Sequence, residues 1–277
     1  EYDPSVVKWR IPVVVHVIRN STGTLGHISE SMVQSQIDIL NEDFLALAGS
    51  FGADGTDVQV EFFLATEDPS GNPTNGITYS NNTTWYNDQG GYYVSLAWDT
   101  NRYLNIYTNQ ASGALGYVPD LPQGGIVGSS ADRVVIFWRA FGRNAPIGPP
   151  YNQGRTATHE VGHYLGLYHT FQSGCGTSAC YSTGDRICDT PAESNPRFGC
   201  PIASSCGSID PTDNYMDYTD DLCMERFTPE QSRRMRCTMT WYRPNLAQLA
   251  CTPADGDVDG SGTVDVEDLL NVLADWG

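Results

Sequence analysis

The amino-acid sequence predicts a mixed α/β fold of the α+β kind, and three stretches predict it. Residues 11–18, Ile-Pro-Val-Val-Val-His-Val-Ile, form a β-branched run suited to a strand buried on both faces. Ser29 can then cap a helix whose apolar residues Val33, Ile37, Leu40 and Phe44 step by four, three and four, the period of one helical face. Beyond residue 170 this periodicity is lost, and all eight cysteines fall between Cys175 and Cys251. An irregular, cross-linked lower part should follow a layered upper part.

The remaining elements read in order. Residues 58–64 and 103–107 suit two further strands, with a Gly-, Asn- and Thr-rich surface loop over 68–91 between them. His16, inside the first strand, has no second ligand at metal-binding spacing and reads as a core histidine. Residues 113–119 are short and glycine-bearing, which suits an edge strand or an exposed loop turning at Gly116, while 133–138 form an apolar strand. A Gly-, Pro- and Asn-rich segment over 139–153 leads to a helix starting near Arg155 and Thr156. Thr228-Pro229-Glu230 opens another helix with a cap, a proline at its first position and an acid in its first turn, directed toward Leu249.

The chain has 277 residues, enough for one large domain and a small appendage. With 33 acidic and 15 basic side chains its net charge is -18, which disfavours nucleic acid and anionic membranes as partners and leaves calcium and cationic substrates open. No apolar run reaches the ~18 residues of a spanning helix. Eight cysteines without zinc-ribbon spacing read as a disulfide framework, hence a secreted or extracytoplasmic location, although eight allow 105 pairings. The start at Glu1 rather than Met suggests a leader, with or without a propeptide, that has been removed or was never included.

Three of the five histidines lie in residues 158–170, THEVGHYLGLYHT. At ~100° per residue, His159 and His163 share one helix face one turn apart. Glu160 sits on its flank, where it reaches a water on the metal without ligating the ion. Gly166 allows the backbone to leave the helix and deliver His169. Three nitrogens and an open fourth position are the catalytic form of zinc site, and zinc lowers the pKa of bound water to roughly 7 while polarising a carbonyl. Glu160 would act as general base and then acid.

His159-Glu160-x-x-His163-x-x-Gly166-x-x-His169 resembles the metzincin metalloprotease signature, and Asn214-Tyr215-Met216-Asp217-Tyr218 resembles its methionine turn. Asp185-x-x-x-Asp189-Thr190-Pro191 between them is similar to the pappalysin family with its ulilysin-like members, a likeness covering most of residues 8 to 251. The resemblance implies a metzincin-like catalytic domain: a twisted mixed sheet of about five strands with an antiparallel edge strand, a backing helix and an active-site helix, then the disulfide-rich lower part. It implies a peptide or protein substrate held extended along the edge strand, Met216 packed beneath the histidines, and Tyr218 as an oxyanion donor, with an ordinary core tyrosine as the other reading. It also implies structural calcium at Asp185 and Thr190, which otherwise read as a cap or turn, and the bridges Cys180–Cys206 and Cys200–Cys223; elimination then leaves Cys175–Cys188 and Cys237–Cys251.

The predicted organisation is a peptidase domain over 1–251, with its upper part over 1–169 and its lower part over 170–251, then a linker over 252–256 and a calcium repeat over 257–277. In the repeat Asp257, Asp259, Ser261, Thr263, Asp265 and Asp268 take the ligand positions of a calcium loop, with Gly262 at its sharp turn. Asp268 in place of glutamate, followed by Leu269, Leu270 and Leu273, resembles the first half of a dockerin-type repeat, which implies a docking partner; an acidic tail is the other reading. The expected function is a secreted zinc endopeptidase. A non-catalytic calcium-dependent binding protein on the same scaffold, and a small-amide hydrolase, are the alternatives, and the presence of Glu160 disfavours the first. An acid on the pocket wall, Glu225 or one of Asp220 and Asp221, would favour basic side chains after the cut, whereas Arg226 and Arg233 stand near in sequence.

Overall fold

The structure is a computed structural model, and it describes residues 9–249. Strand β1, Trp9–Arg19, is the spine of the molecule. It pairs in parallel with β2, Val60–Leu64, and then with β3, Ile77–Asn81, along one edge, and with β4, Leu104–Asn109, along the other. The sheet continues through β6, Val134–Phe137, parallel to β4, and ends at β5, Gly116–Tyr117, which runs antiparallel to β6. The mixed sheet with an antiparallel edge is the architecture expected.

Alternation along β1 divides the core. Ile11, Val13, Val15 and Val17 face helix α1, Glu30–Phe44, whose Val33, Ile37, Leu40 and Phe44 join them in one buried cluster. Ser29 caps this helix, accepting a hydrogen bond from the Met32 N–H. On the opposite face Val14 and Ile18 are fully buried, so β1 has no solvated side. His16 is on that face, stacked on Tyr107 at 4.5 Å and hydrogen-bonded to Thr78 and Asn105. Burial drives its pKa down to about 4, and it is a neutral core histidine.

Two boundaries differ from expectation. The stretch 68–91 holds β3 and the short helix α2, Thr83–Tyr86, with α3, Tyr92–Leu96, just beyond. In β3 only Ile77 is buried, so its half-buried Ser80 and exposed Asn81 give the composition of a loop while the backbone pairs with β1. The last helix, α5, Pro229–Trp241, stops before Leu249. Pro244 disfavours a helical residue before it, and the chain turns back to pair β9, Gln248–Leu249, with the start of β1.

Helix α4, Arg155–Tyr164, crosses beneath the sheet, and the lower part hangs from its end. That part has little regular structure besides the hairpin β7, Ser204–Ser205, with β8, Ser208–Ile209, and α5, which carries a full capping box between Thr228 and Gln231. Its bridges are Cys175–Cys206, Cys180–Cys188 and Cys200–Cys223. The implied pairs Cys180–Cys206 and Cys175–Cys188 are therefore corrected by an exchange of partners. The turn in which Ser182 and Thr183 donate to the Ala179 carbonyl folds Cys180 back toward Cys188, with Cα atoms 5.1 Å apart. Cys206, at the tip of the β7–β8 hairpin, meets Cys175 at 5.4 Å, also within bridging range. Cys237 is exposed and has no disulfide among the described residues. Cys251, the linker and the calcium-loop positions Asp257, Asp259, Ser261, Thr263, Asp265 and Asp268 lie outside them.

Candidate active site

Helix α4 begins with buried charge. Arg155, fully buried, reaches the equally buried Asp43 of α1 at 3.1 Å, and the Thr158 hydroxyl donates to the other Asp43 oxygen at 2.6 Å. This pair fixes the first turn of α4 against α1, so the next turn presents its side chains in a set direction. His159 and His163 follow on one face, as the spacing requires. Gly162 between them has no Cβ because one would lie 2.6 Å from Met216 Sδ. Gly166 then takes φ +94, and the chain leaves the helix toward His169.

The three imidazoles converge. His163 Nε2 is 3.1 Å from His159 Nε2 and 2.9 Å from His169 Nε2. His159 Nδ1 is 2.7 Å from the Tyr215 carbonyl and His163 Nδ1 is 2.8 Å from the Leu167 carbonyl. A carbonyl only accepts, so each Nδ1 carries the hydrogen and each Nε2 presents a lone pair. The short His159–His163 separation is therefore not a hydrogen bond but two lone pairs meeting, and His169 Nε2 converges on the same point. Burial holds His163 at about 4, and burial with neighbouring histidine charge holds His169 at about 3 and His159 well below its ordinary range. Neutral nitrogens about 3 Å apart, two of them held through Nδ1 by backbone carbonyls, fit a tetrahedral zinc ion with bonds of about 2.0–2.1 Å. Among the described residues this is the one cluster with metal-ligand spacing.

Around the cluster lie Glu160, Met216 and Tyr218. The Tyr218 ring packs 4.9 Å from His169 and 5.6 Å from His159 and is 38% exposed, so it is no core tyrosine. Phe171 stacks on the His169 ring at 4.7 Å and meets the Tyr218 ring edge-on at 5.0 Å, so the three rings pack against one another. Burial alone lifts Glu160 to about 8, opposed by a hydrogen bond from the Val118 backbone, and a dication at the imidazoles would lower it. Glu160 also touches the edge strand. A Cβ on Gly116 would lie 2.7 Å from Glu160 Cγ and 3.0 Å from Thr156 Cγ2. Gly116→Ala is therefore expected to lower kcat by roughly 10- to 100-fold by displacing the carboxylate, with an unchanged melting temperature; steady-state kinetics beside a thermal melt checks it.

Two cavities flank the site. One of about 280 Å³ runs from Gly116 and His159 to Tyr151, Phe198 and Asp221. The other, about 330 Å³, opens past Val118 and His169 toward Tyr168 and Gln172. Glu225 lines neither. Asp185 and Thr190 stand apart from the histidines and bond to each other at 2.5 Å, with Asp185 also accepting from the Ile187 N–H.

Gly116, Gly162 and the Arg155–Asp43 pair do not stand out as site residues in the sequence. One signal was available: Asp43 places a carboxylate on the apolar stripe of α1, one step before Phe44.

Fold and site together define a zinc metalloendopeptidase of metzincin architecture. A family model described as pregnancy-associated plasma protein-A, of the M43 peptidases, matches residues 87–240. An extracellular metalloprotease of Verticillium alfalfae is 37% identical over 245 residues, 84% of this chain and 76% of that one. A structure of mirolysin with a bound compound superposes with a TM-score of 0.74 at 37% identity, covering 86% of this chain and 96% of that one. Mature mirolysin of Tannerella forsythia with a cleaved peptide gives 0.71 at 37% identity, covering 86% and 95%. The chain belongs to the M43, pappalysin-type peptidases, and it is an extracellular enzyme.

Proposed function

We propose that the chain cleaves extended peptides laid along β5, with Glu160 as the proton-transfer group, and that it prefers a basic side chain immediately after the cut. One observation carries this reading: the Glu160 carboxylate lies between the free edge of the sheet and the three converging imidazoles, where a substrate carbonyl and its amide nitrogen would meet it. Zinc held by His159, His163 and His169 supplies Lewis-acid activation of the attacking water and of the scissile carbonyl. Glu160 takes the proton from that water and passes it to the departing amine. The Tyr218 hydroxyl donates to the developing oxyanion, Met216 supports the imidazoles from below, and Gly166 directs the chain toward His169.

The cavity bearing Asp221 is the pocket for the residue after the cut. Asp221 accepts hydrogen bonds from the Gln153 and Arg155 N–H groups on one oxygen, which fixes its orientation in the wall. Arg226 pairs with Asp213 and Arg233 with Glu230, so neither offsets Asp221. Asp221→Asn retains an acceptor for those N–H groups and removes the charge. It is expected to lower kcat/KM for peptides with Arg or Lys after the cut by roughly 10- to 100-fold and to leave apolar peptides unaffected. A peptide-library digest read by mass spectrometry tests both the cleavage and the preference; cuts without a basic residue on the leaving side would overturn the preference.

Calcium belongs to the same proposal. Asp185 and Thr190, whose oxygens already meet, are its candidate ligands in the lower part. The repeat over 257–277, beyond a linker at 252–256, is a second candidate calcium site and a docking element, and Cys237 is the candidate partner of Cys251. Calcium titration of the apoprotein, read as a rise in melting temperature, tests the ion sites.

A further inference from the structure

The geometry points to a second substrate-binding site, at Arg186 and Arg234, that takes acidic residues upstream of the scissile bond. It rests on the proposed function, which puts the Asp221 cavity after the cut, so that the Tyr168 cavity on the other flank of the imidazoles falls before it. Tyr168 is the hinge of the inference. It lines the cavity that holds His163 and His169, and it lines two further cavities that continue outward from there. Arg186 lines both of these, and Arg234 lines the outer one, of about 530 Å³. The Arg186 guanidinium carbon lies 5.1 Å from the centre of the Tyr168 ring and that of Arg234 lies 5.8 Å from it. Two cations are thus gathered on one aromatic ring at the end of the cleft.

Neither makes an ion pair among the described residues, although Arg234 feels the charge of the buried Asp185 carboxylate. Seven arginines pair with a carboxylate within 4.0 Å. Among the described residues Arg186 and Arg234 do not, in a chain whose net charge is -18. Arg234 is half-buried and donates only to the Asp185 carbonyl at 3.4 Å, while the Asp185 carboxylate is engaged by Thr190 and Ile187. Arg186 is exposed and sits at φ +62, a left-handed conformation that disfavours a side chain. Like charges side by side on one ring repel unless an anion joins them, and two guanidinium groups present donor pairs that match a carboxylate. Asp120 lines the part of the cleft nearest the imidazoles, so an acid next to the scissile bond gains nothing; the benefit begins beyond Tyr168.

The test uses two fluorogenic peptides that share a scissile sequence with arginine after the cut and differ upstream, one carrying glutamates and the other glutamines. The full chain should cleave the glutamate peptide roughly tenfold better in kcat/KM, through KM, with the advantage shrinking as salt is raised. The double variant R186Q/R234Q should lose that advantage and keep its rate on the glutamine peptide, and R186K/R234K should restore part of it. Equal cleavage of both peptides by the parent protein overturns the site, as does a double variant slowed equally on both. A parent protein that cleaves neither peptide counts against the proposed function instead.

Discussion

Glu160→Gln is expected to abolish most peptidase activity, by roughly 10²–10⁴-fold or more in kcat, while zinc remains bound. Glutamine fills the same space against Gly116 and Thr156 and offers an oxygen to the Val118 N–H, so the wall of the site keeps its shape. What it lacks is a basic oxygen that can accept a proton and return it. His159 and His163 do not depend on Glu160 for their orientation, because their Nδ1 contacts run to the Tyr215 and Leu167 carbonyls. Burial disfavours the ionised Glu160, so a neutral side chain there should not lower the melting temperature. Peptide kinetics, metal content and a thermal melt on one preparation check the three parts together.

Arg155→Met is expected to destabilise the protein by about 3–5 kcal/mol, the largest stability loss of any single substitution proposed. It leaves Asp43 fully buried with no cation, because Arg155 is its ion-pair partner at 3.1 Å. The Thr158 hydroxyl remains on Asp43, but one neutral donor does not replace a guanidinium. The loss should also weaken zinc binding by roughly 10- to 100-fold, since Thr158 immediately precedes His159 and the contacts orienting a metal's ligands have effects of that size. Replacing Asp43 by Asn in the same chain should recover a large part of the stability, because a buried amide needs no counter-charge. Denaturant midpoints of the parent, single and double variants give the comparison.

The converging histidines are legible because metal-ligand spacing on a helix has a period. His159 and His163 must share a helix face, and Gly166 must precede the return to His169. The edge strand was legible for a different reason: a short glycine-bearing run between Pro-bounded segments has few other places in a sheet. Strand β3 was not legible, since only Ile77 is buried and the other positions carry surface residues. Disulfide pairing was not legible either. Cys175, Cys180, Cys188 and Cys206 lie in a segment without periodicity, and which sulfur meets which depends on the 179–183 turn and the β7–β8 hairpin. The Arg155–Asp43 pair joins residues 112 apart in sequence, and no local pattern announces such a contact. In the sequence Gly116 reads as a turn residue, whereas its place follows from the close approach of Glu160 across two elements.

Zinc endopeptidase chemistry at His159, His163, His169 and Glu160 is tested most directly by peptide-library cleavage before chelation, after chelation and after zinc is returned. Internal cuts that vanish with the metal and reappear with one zinc per chain, but never in Glu160→Gln, are the expected result. Internal cleavage that survives removal of all zinc, or that persists in a clean preparation of Glu160→Gln, would contradict it.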